Sequence, residues 1–447
     1  MTINQEIFKA YDVRGLYPEQ INEKAAYKIA QAYLKIFQPD GAIVLGKDVR
    51  LSSPGLWQAA AKGITNAGYD VIDIGTVSTD MLYFTVANYG YGGGITISAS
   101  HNPAEYNGMK FVREKAIAVS ADTGIMDIKK QALKEEEIIE PTKGQIIKKD
   151  ILNDYINHCL AFIDITQIKP MKIVADANFG MAGIVLKKIL EGLPIEIVEL
   201  NFQPDGGFPK GRPDPKIFER RKEVGSLVKK EQVDFGVAWD ADADRCFFFD
   251  EKGEHIDAYY ITAILAKHYL GKQPKQKVLC DVRLVWAIED VVNELGGQLI
   301  INKPGHAFIK DTMRKEDILF GGETSGHYYF KDNFYADNGM IPFLLILEIL
   351  CLSDKKISQI ADYYRKNYPN SGEINKQVKD KDAVLQKIEK EYQDGKVDHI
   401  DGVSVEYDDW RFNLRKSNTE PVIRLNLEAK TQKLVDQKTK EILQLIK

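Results

Sequence analysis

The chain has 447 residues, a formal net charge of −5, 44% hydrophobic and 28% charged residues. That is an ordinary globular composition, and its length implies about three or four domains with ample core. The acidic balance argues against a nucleic-acid or membrane-surface partner, while a bound small anion needs only local positive charge.

Taken in chain order, short apolar runs predict strands over 42–45, 71–74 and 94–98. A helix is expected over 54–67, with Pro54 at its start and Gly68 just past its end. The third run leaves the triplet Gly92-Gly93-Gly94 and continues Thr96-Ile97-Ser98-Ala99-Ser100-His101-Asn102-Pro103. A β-branched run that stops at Asn-Pro predicts a strand feeding an exposed loop, since proline cannot continue the ladder. That loop presents a serine hydroxyl beside an imidazole, the pairing used in nucleophilic and phosphoryl-transfer chemistry; a solvated Ser-His loop is the plain alternative. The charge-dense, helix-prone stretch 129–149 leads toward a first domain boundary. The alternation resumes with a strand over 172–175, a helix over 181–191 and a strand over 195–200.

Next comes Asp240-Ala241-Asp242-Ala243-Asp244-Arg245, between the apolar runs 233–239 and 246–249. Carboxylates at alternate positions face one way in extended backbone and repel unless a cation or solvent separates them. All-oxygen ligands suit a hard ion such as Mg²⁺. A solvated acidic turn is the plain reading. Asp240, Asp242, Asp244 and Glu251 also fall on EF-hand spacing, but the position that requires glycine holds Arg245, and the flanks look like strands.

A third round of strand, helix and strand is expected over 278–282, 284–295 and 298–302. Gly321-Gly322-Glu323-Thr324-Ser325-Gly326-His327 comes after the apolar segment 318–320. Its glycines allow close backbone approach, and its Glu, Ser and His carry the acceptors and donors that sugar hydroxyls need. The run 340–352 is too short to span a bilayer, contains Pro342 and Glu348, and predicts a buried helix. The lysine-rich stretch 375–396 predicts a solvated helical face. Residues 402–429 alternate as an antiparallel sheet does, and 431–446 close with an amphipathic helix. Within that sheet, Arg415-Lys416-Ser417-Asn418-Thr419-Glu420-Pro421 and Arg424 combine guanidinium, hydroxyl and turn amides into a phosphate cradle, or else form a β-turn with a basic flank.

Alternating strands and helices imply mainly parallel sheets with functional loops at strand ends. The predicted fold class is therefore α/β: three similar domains with mixed, mainly parallel sheets, and a smaller C-terminal α+β domain. The boundaries are placed at 1–147, 148–249, 250–366 and 367–447. Cys159, Cys246, Cys280 and Cys351 lack metal-ligand spacing and suit a reducing compartment. The N-terminus has no basic-then-apolar signal segment, so a cytoplasmic location is expected. A hydroxyl that can carry phosphate, a divalent-cation site, a polyol reader and a phosphate clamp together imply phosphoryl transfer on a phosphorylated sugar.

These loops, in this order, resemble those of the α-D-phosphohexomutases, in particular bacterial phosphomannomutase/phosphoglucomutase. The resemblance extends to Phe8-Lys9-Ala10-Tyr11-Asp12-Val13-Arg14-Gly15, Gly108-Met109-Lys110 and Lys303-Pro304-Gly305-His306. It implies domains arranged around a central cleft. It further implies a phosphorylated Ser100 with His101 beside it, and Mg²⁺ held by Asp240, Asp242, Asp244 and the phosphoserine. Lys110 and His327 match proton donors or acceptors, and Glu323 and Ser325 match sugar readers. Arg415, Ser417, Asn418 and Thr419 match the loop for the non-reacting phosphate, while Tyr11, Arg14, Arg245, Arg283, His306 and Arg424 match positions lining the cleft.

The implied reaction is reversible transfer between C6 and C1 of mannose or glucose phosphates. Its intermediate, also the activator, is glucose 1,6-bisphosphate or mannose 1,6-bisphosphate, which must turn end for end. The implied partners are small hexose phosphates, with no nucleic acid or membrane, and the chain a monomer or homodimer. Two departures from the commoner pattern are Ala241, where glycine is frequent, and Arg283, where lysine is. Phosphoglucosamine mutase shares the Gly-Glu-x-Ser-Gly-His loop but usually has glycine at the place of Asn418. A sugar-phosphate-binding protein without activity would be expected to have lost Ser100 or an aspartate.

Overall fold

The computed structural model describes residues 3–134, 136–417 and 422–446. The chain divides into two compact units, Met1–His255 with Tyr329–Asp354, and Ile256–Tyr328 with Lys355–Lys447.

The first unit opens with a six-stranded sheet in the order Val13–Leu16, Tyr106–Arg113, Gly93–Ile97, Ile43–Lys47, Val71–Thr76 and Ile146–Lys148. Ile43–Lys47 runs parallel to both Val71–Thr76 and Gly93–Ile97, with Ile43 opposite Val71 and Gly93. Tyr106–Arg113 is antiparallel to Gly93–Ile97 and to Val13–Leu16. Parallel neighbours need crossover helices, here Ser53–Asn66 and Thr79–Asn88. The loops after three adjacent strands therefore leave from the same sheet edge: 48–52, 77–78 and 98–102. Ile43, Leu45, Ile95 and Ile97 are fully buried, packing with Ala26, Ile29 and Ala30 of the helix Glu23–Phe37. Each buried aliphatic side chain stabilises the fold by roughly 1.5–3 kcal/mol.

A second sheet in this unit pairs Met171–Asp176 in parallel with Ile195–Leu200 and with Phe235–Trp239. Cys246–Phe249 returns antiparallel to Phe235–Trp239. The acidic turn therefore joins two fully buried strands. The helix Met340–Ser353 is apolar on nearly every side, and its Phe343 meets Trp239 edge-on with ring centroids 5.6 Å apart.

In the second unit, Lys277–Asp281 runs parallel to Gln298–Asn302 and Phe320–Gly322. An antiparallel sheet comes next, in the order Ile374–Gln377, Val422–Ala429, Trp410–Lys416, Val403–Glu406 and Lys396–Asp398. The helices Lys381–Glu391 and Gln432–Leu445 supply Val384, Leu385, Ile388, Val435 and Ile442 to its core. The α/β class with mixed sheets and an α+β C-terminal region is thus as expected.

Two predicted elements differ. Over 129–149 the helix ends at Ala132, and Ile146–Lys148 becomes an edge strand beside Val71–Thr76; Pro141 and Gly144 interrupt any helix, and the free sheet edge recruits the residues just beyond them. Over 375–396 the helix is only Lys381–Glu391, because Asp380 accepts from the amides of Asp382 and Ala383 and starts it there. Among the described residues no helix is long and apolar enough to cross a membrane.

Candidate active site

The strand Gly93–Ile97 ends in the serine loop, and the structure corrects one expectation: Ser98 to Ser100 are buried and 101–104 half-buried rather than exposed. Ser100 is 4% exposed and lies in the left-handed region at φ 49°. Arg50, from the neighbouring parallel strand's loop, explains both. Its guanidinium donates to the carbonyls of Ser100 at 2.6 Å, Asn102 at 2.7 Å, Pro103 at 2.6 Å and Tyr106 at 3.0 Å. Asp48 pairs with its Nε at 3.2 Å. Four carbonyls of the loop are satisfied by one planar fork, which wraps the loop around it. The Ser98 hydroxyl accepts from the Ser100 amide at 2.9 Å.

The Ser100 hydroxyl donates to Asp240 Oδ2 at 3.1 Å and lies 3.1 Å from His101 Nδ1. Burial, then the charges of Arg245, Arg14 and Arg212, hold the His101 imidazole well below its usual range, so it is neutral near pH 7. Arg14 donates to Asn102 Oδ1 at 2.8 Å and pairs with Asp12. Arg212 donates to the His101 carbonyl at 3.1 Å. Tyr11 is half-buried just before the strand Val13–Leu16.

The acidic segment is a turn rather than extended backbone. The Ala243 amide donates to the Asp240 carbonyl at 3.1 Å, and Ala243 sits at φ 57°. The left-handed residue is therefore the second alanine of the turn, at a cost of about 1–2 kcal/mol. The turn gathers ligand oxygens of Asp240, Asp242 and Asp244 within 4.8 Å of one another, all buried. Lys110 Nζ donates to Asp242 Oδ2 at 2.7 Å and Asp244 Oδ2 at 2.8 Å, and Arg245 Nε donates to Asp240 Oδ2 at 2.8 Å. Burial opposes charge on Lys110, but Asp242 and Asp244 outweigh it and keep it an ammonium. Burial pushes the Asp240 carboxyl up to about 7, with Asp242 and Asp244 adding to the rise against Arg245. Asp242 Oδ1 is buried with no hydrogen-bond partner among the described residues. Two protein cations thus face three buried carboxylates, and Asp242 Oδ1 stays open beside them. That donor set fits a hard divalent cation such as Mg²⁺.

The second unit carries the remaining predicted residues. Glu323 Oε1 accepts from the Gly305 amide at 3.0 Å and from Arg283 at 3.3 Å. His327 Nδ1 lies 3.0 Å from Ser325 Oγ and 3.3 Å from Glu323 Oε2, and its ring is 6.2 Å from that of His306. Arg283 is held by Asp281 at 2.7 and 2.9 Å, and Asp281 also accepts from the Thr324 amide at 2.8 Å. Arg415 and Arg424 are cross-strand partners. Arg424 donates to Ser417 Oγ at 3.3 Å. Glu373 draws this group together, lying 2.7 Å from Arg415, 3.6 Å from Arg424 and 3.8 Å from Arg283. Burial and the neighbouring Arg283 lower the Arg415 pKa in spite of Glu373, so the cluster is short of negative charge. Asn418 and Thr419 lie outside the described residues.

Sequence reasoning missed Arg50, Thr79, Arg212, Asp281 and Glu373. Arg50 carries the signal that marked Ser100, a polar residue just past a β-branched run, and Arg212 stands in the turn-forming Gly211-Arg212-Pro213-Asp214. Asp281 directly precedes Val282 and Arg283, but Glu373 shows no local pattern at all.

A serine hydroxyl over a cation-suited acidic turn, built on loops of mixed sheets, defines a phosphoryl-transfer enzyme with an α/β scaffold. The chain belongs to the phosphoglucomutase/phosphomannomutase family. The family's α/β/α domain I matches residues 5–138, domain II 153–253, domain III 257–368 and the C-terminal domain 373–445. A phosphomannomutase from Escherichia coli is 43% identical over 453 residues, covering 98% of this chain and 99% of the relative. A protein named for phosphohexose mutases, from Xanthomonas campestris pv. campestris strain B100, is 42% identical over 444 residues, with 98% and 99% covered. Among solved structures, a phosphoglucomutase/phosphomannomutase family protein from Burkholderia thailandensis superposes with a TM-score of 0.89 at 29% identity, covering 99% of this chain and 97% of that one. The chain is accordingly a phosphohexomutase, an enzyme of the isomerase class.

Proposed function

We propose that the protein transfers a phosphoryl group reversibly between C6 and C1 of a hexose phosphate, with mannose and glucose phosphates as substrates. Ser100 carries the phosphoryl group, and a 1,6-bisphosphate is the intermediate. The observation that carries this reading is the Ser100 hydroxyl, 3.1 Å from Asp240 and presented by a loop that four Arg50 hydrogen bonds hold in place.

In the forward step a sugar hydroxyl oxygen bonds to the phosphorus of phosphorylated Ser100, and the phosphorus–Oγ bond breaks. The hydroxyl proton passes to a base, for which His327 is assigned, its Nδ1 tied to Ser325 and Glu323. The freed Ser100 oxygen takes up a proton in exchange, so that phosphoserine and sugar hydroxyl become serine hydroxyl and sugar phosphate. Lys110 and Arg245 stay cationic and oppose the charge spread over the transferring group. Asp240, Asp242 and Asp244 with the serine phosphate would hold Mg²⁺, which when bound neutralises and polarises that group. Glu323 and Ser325 read sugar hydroxyls; Arg415, Ser417, Asn418, Thr419 and Arg424 hold the other phosphate. Tyr11, Arg14, Arg283 and His306 are assigned to substrate binding. The bisphosphate then turns over, its second phosphoryl returns to Ser100, and glucose or mannose 1,6-bisphosphate restores any enzyme that has lost its phosphate. The reading keeps domain boundaries at 147/148, 249/250 and 366/367. Four buried thiols, with no disulfide among the described residues, support a cytoplasmic setting.

The test measures turnover of mannose 1-phosphate, glucose 1-phosphate and glucosamine 1-phosphate with Mg²⁺ and a trace of glucose 1,6-bisphosphate. Comparable turnover of the first two, abolished by EDTA and by Ser100→Ala, is expected. Turnover of the amino sugar alone would reassign the substrate, and no turnover of any would overturn the hexose reading.

A further inference from the structure

Thr79 belongs neither to the serine loop nor to the acidic turn, yet it grips Asp242 twice. Its amide donates to the Asp242 carbonyl at 3.0 Å, and its hydroxyl donates to Asp242 Oδ2 at 2.6 Å. Lys110 Nζ donates to the same oxygen at 2.7 Å and lies 3.4 Å from the Thr79 hydroxyl. Thr79 is 1% exposed and Asp242 fully buried. With two donors on Oδ2, turning the carboxylate plane away from them would break both bonds and leave the buried Thr79 hydroxyl without its acceptor. The partnerless Oδ1 is thereby fixed as the oxygen available to a cation.

Thr79 itself has little freedom. It is the first residue of the helix Thr79–Asn88, directly after the loop of the strand Val71–Thr76. The next residue, Asp80, is buried and accepts from Ser78, from Tyr155 at 2.6 Å and from the Gly339 amide at 3.4 Å. The helix start is thus fastened from behind while its hydroxyl faces the acidic turn.

We infer that Thr79 is a positioning residue for the divalent cation. It orients Asp242 so that Oδ1 is a metal ligand, and so couples the sheet that bears Ser100 to the acidic turn. This rests on the metal reading proposed above. It assigns Thr79 an effect on metal affinity through its hydroxyl, which a role in packing would not produce.

The experiment titrates Mn²⁺ into the purified full-length protein, counting free ion by electron paramagnetic resonance, with Mg²⁺ as competitor. Thr79→Val keeps the amide and the volume but removes the hydroxyl; Thr79→Ser keeps the hydroxyl. Loss of an outer-shell partner typically weakens metal binding by about 10- to 100-fold. The expected result is a rise of that order in Kd for Thr79→Val, near wild-type affinity for Thr79→Ser, and a kcat that recovers at saturating Mg²⁺. If Thr79→Val does not fold, Thr79→Ala is read against Thr79→Ser in the same way. Wild-type affinity in the hydroxyl-free variant, or weakened binding in Thr79→Ser, overturns the role of Thr79 alone. Failure of the wild-type protein to bind Mn²⁺ overturns it together with the metal site.

Discussion

Ser100 occupies a backbone region that costs a non-glycine residue about 1–2 kcal/mol. Such a conformation persists only where its surroundings over-determine it, and that is common at functional sites. Here one side chain makes most of the contacts. Arg50 uses its planar fork on four carbonyls of the loop, with Asp48 behind it. Lysine offers a point charge with three donors and no fork, so Arg50→Lys leaves carbonyls of the loop without their donor. The expected outcome is a loss of about 3 kcal/mol in chemical denaturation, together with a fall in mutase activity larger than the change in substrate KM. Equal activity in the two proteins would show that the loop holds its shape without Arg50. The second strained residue, Ala243 at φ 57°, is signalled only in part, since the sequence draws notice to Ala241 instead.

At the scale of elements, three adjacent parallel strands deliver Arg50, Thr79 and Ser100 to one sheet edge. The helix Thr79–Asn88 is the joint between that edge and the rest of the unit, through the buried carboxyl of Asp80. Burial pushes this carboxyl up to about 7, with Asp244 adding to the rise and hydrogen bonds from Ser78, Tyr155 and the Gly339 amide opposing it. In the unfolded chain the same group titrates near 3.8. Between about pH 4 and pH 7 the folded state therefore holds a proton that the unfolded state releases, and Asp80 makes stability fall as pH rises through that window. Asp80→Asn removes the titration but keeps an acceptor for Tyr155. Melting temperatures followed from pH 4 to 7.5 should fall less steeply in the variant than in the wild type. Asp176 and Asp240, raised to about 6 and about 7, titrate in both proteins and cancel in the difference. Parallel profiles would remove Asp80 as the source.

At the scale of the molecule, the whole acidic turn lies in the first of the two units. A ligand stabilises only the state that binds it, by about 2.7 kcal/mol at a hundred times its Kd. Mg²⁺ should therefore raise the calorimetric transition in which Asp240, Asp242 and Asp244 are released. EDTA should reverse the rise, and Asp242→Asn should abolish it. A rise that survives in Asp242→Asn would place the cation elsewhere.

The alternation of strands and helices is legible in the amino-acid order alone, since periodicity and glycine or proline punctuation are local. Strands Ile195–Leu200 and Gln298–Asn302 fall on their predicted bounds. Ser100, the three aspartates, Glu323 and Arg415 are legible too, because polar residues at the end of apolar runs stand out without any knowledge of neighbours. It took the folded chain to show that Ser100 is buried, that 146–148 forms an edge strand, that Arg50 and Thr79 bond to the serine loop and to Asp242, and that Glu373 pairs with Arg415. Hydrogen bonds from Arg50 to residues some fifty positions away, or from Thr79 to Asp242, leave no periodic trace. They arise from which strands become neighbours, and strand order is set by packing of the whole domain rather than by any short stretch of chain.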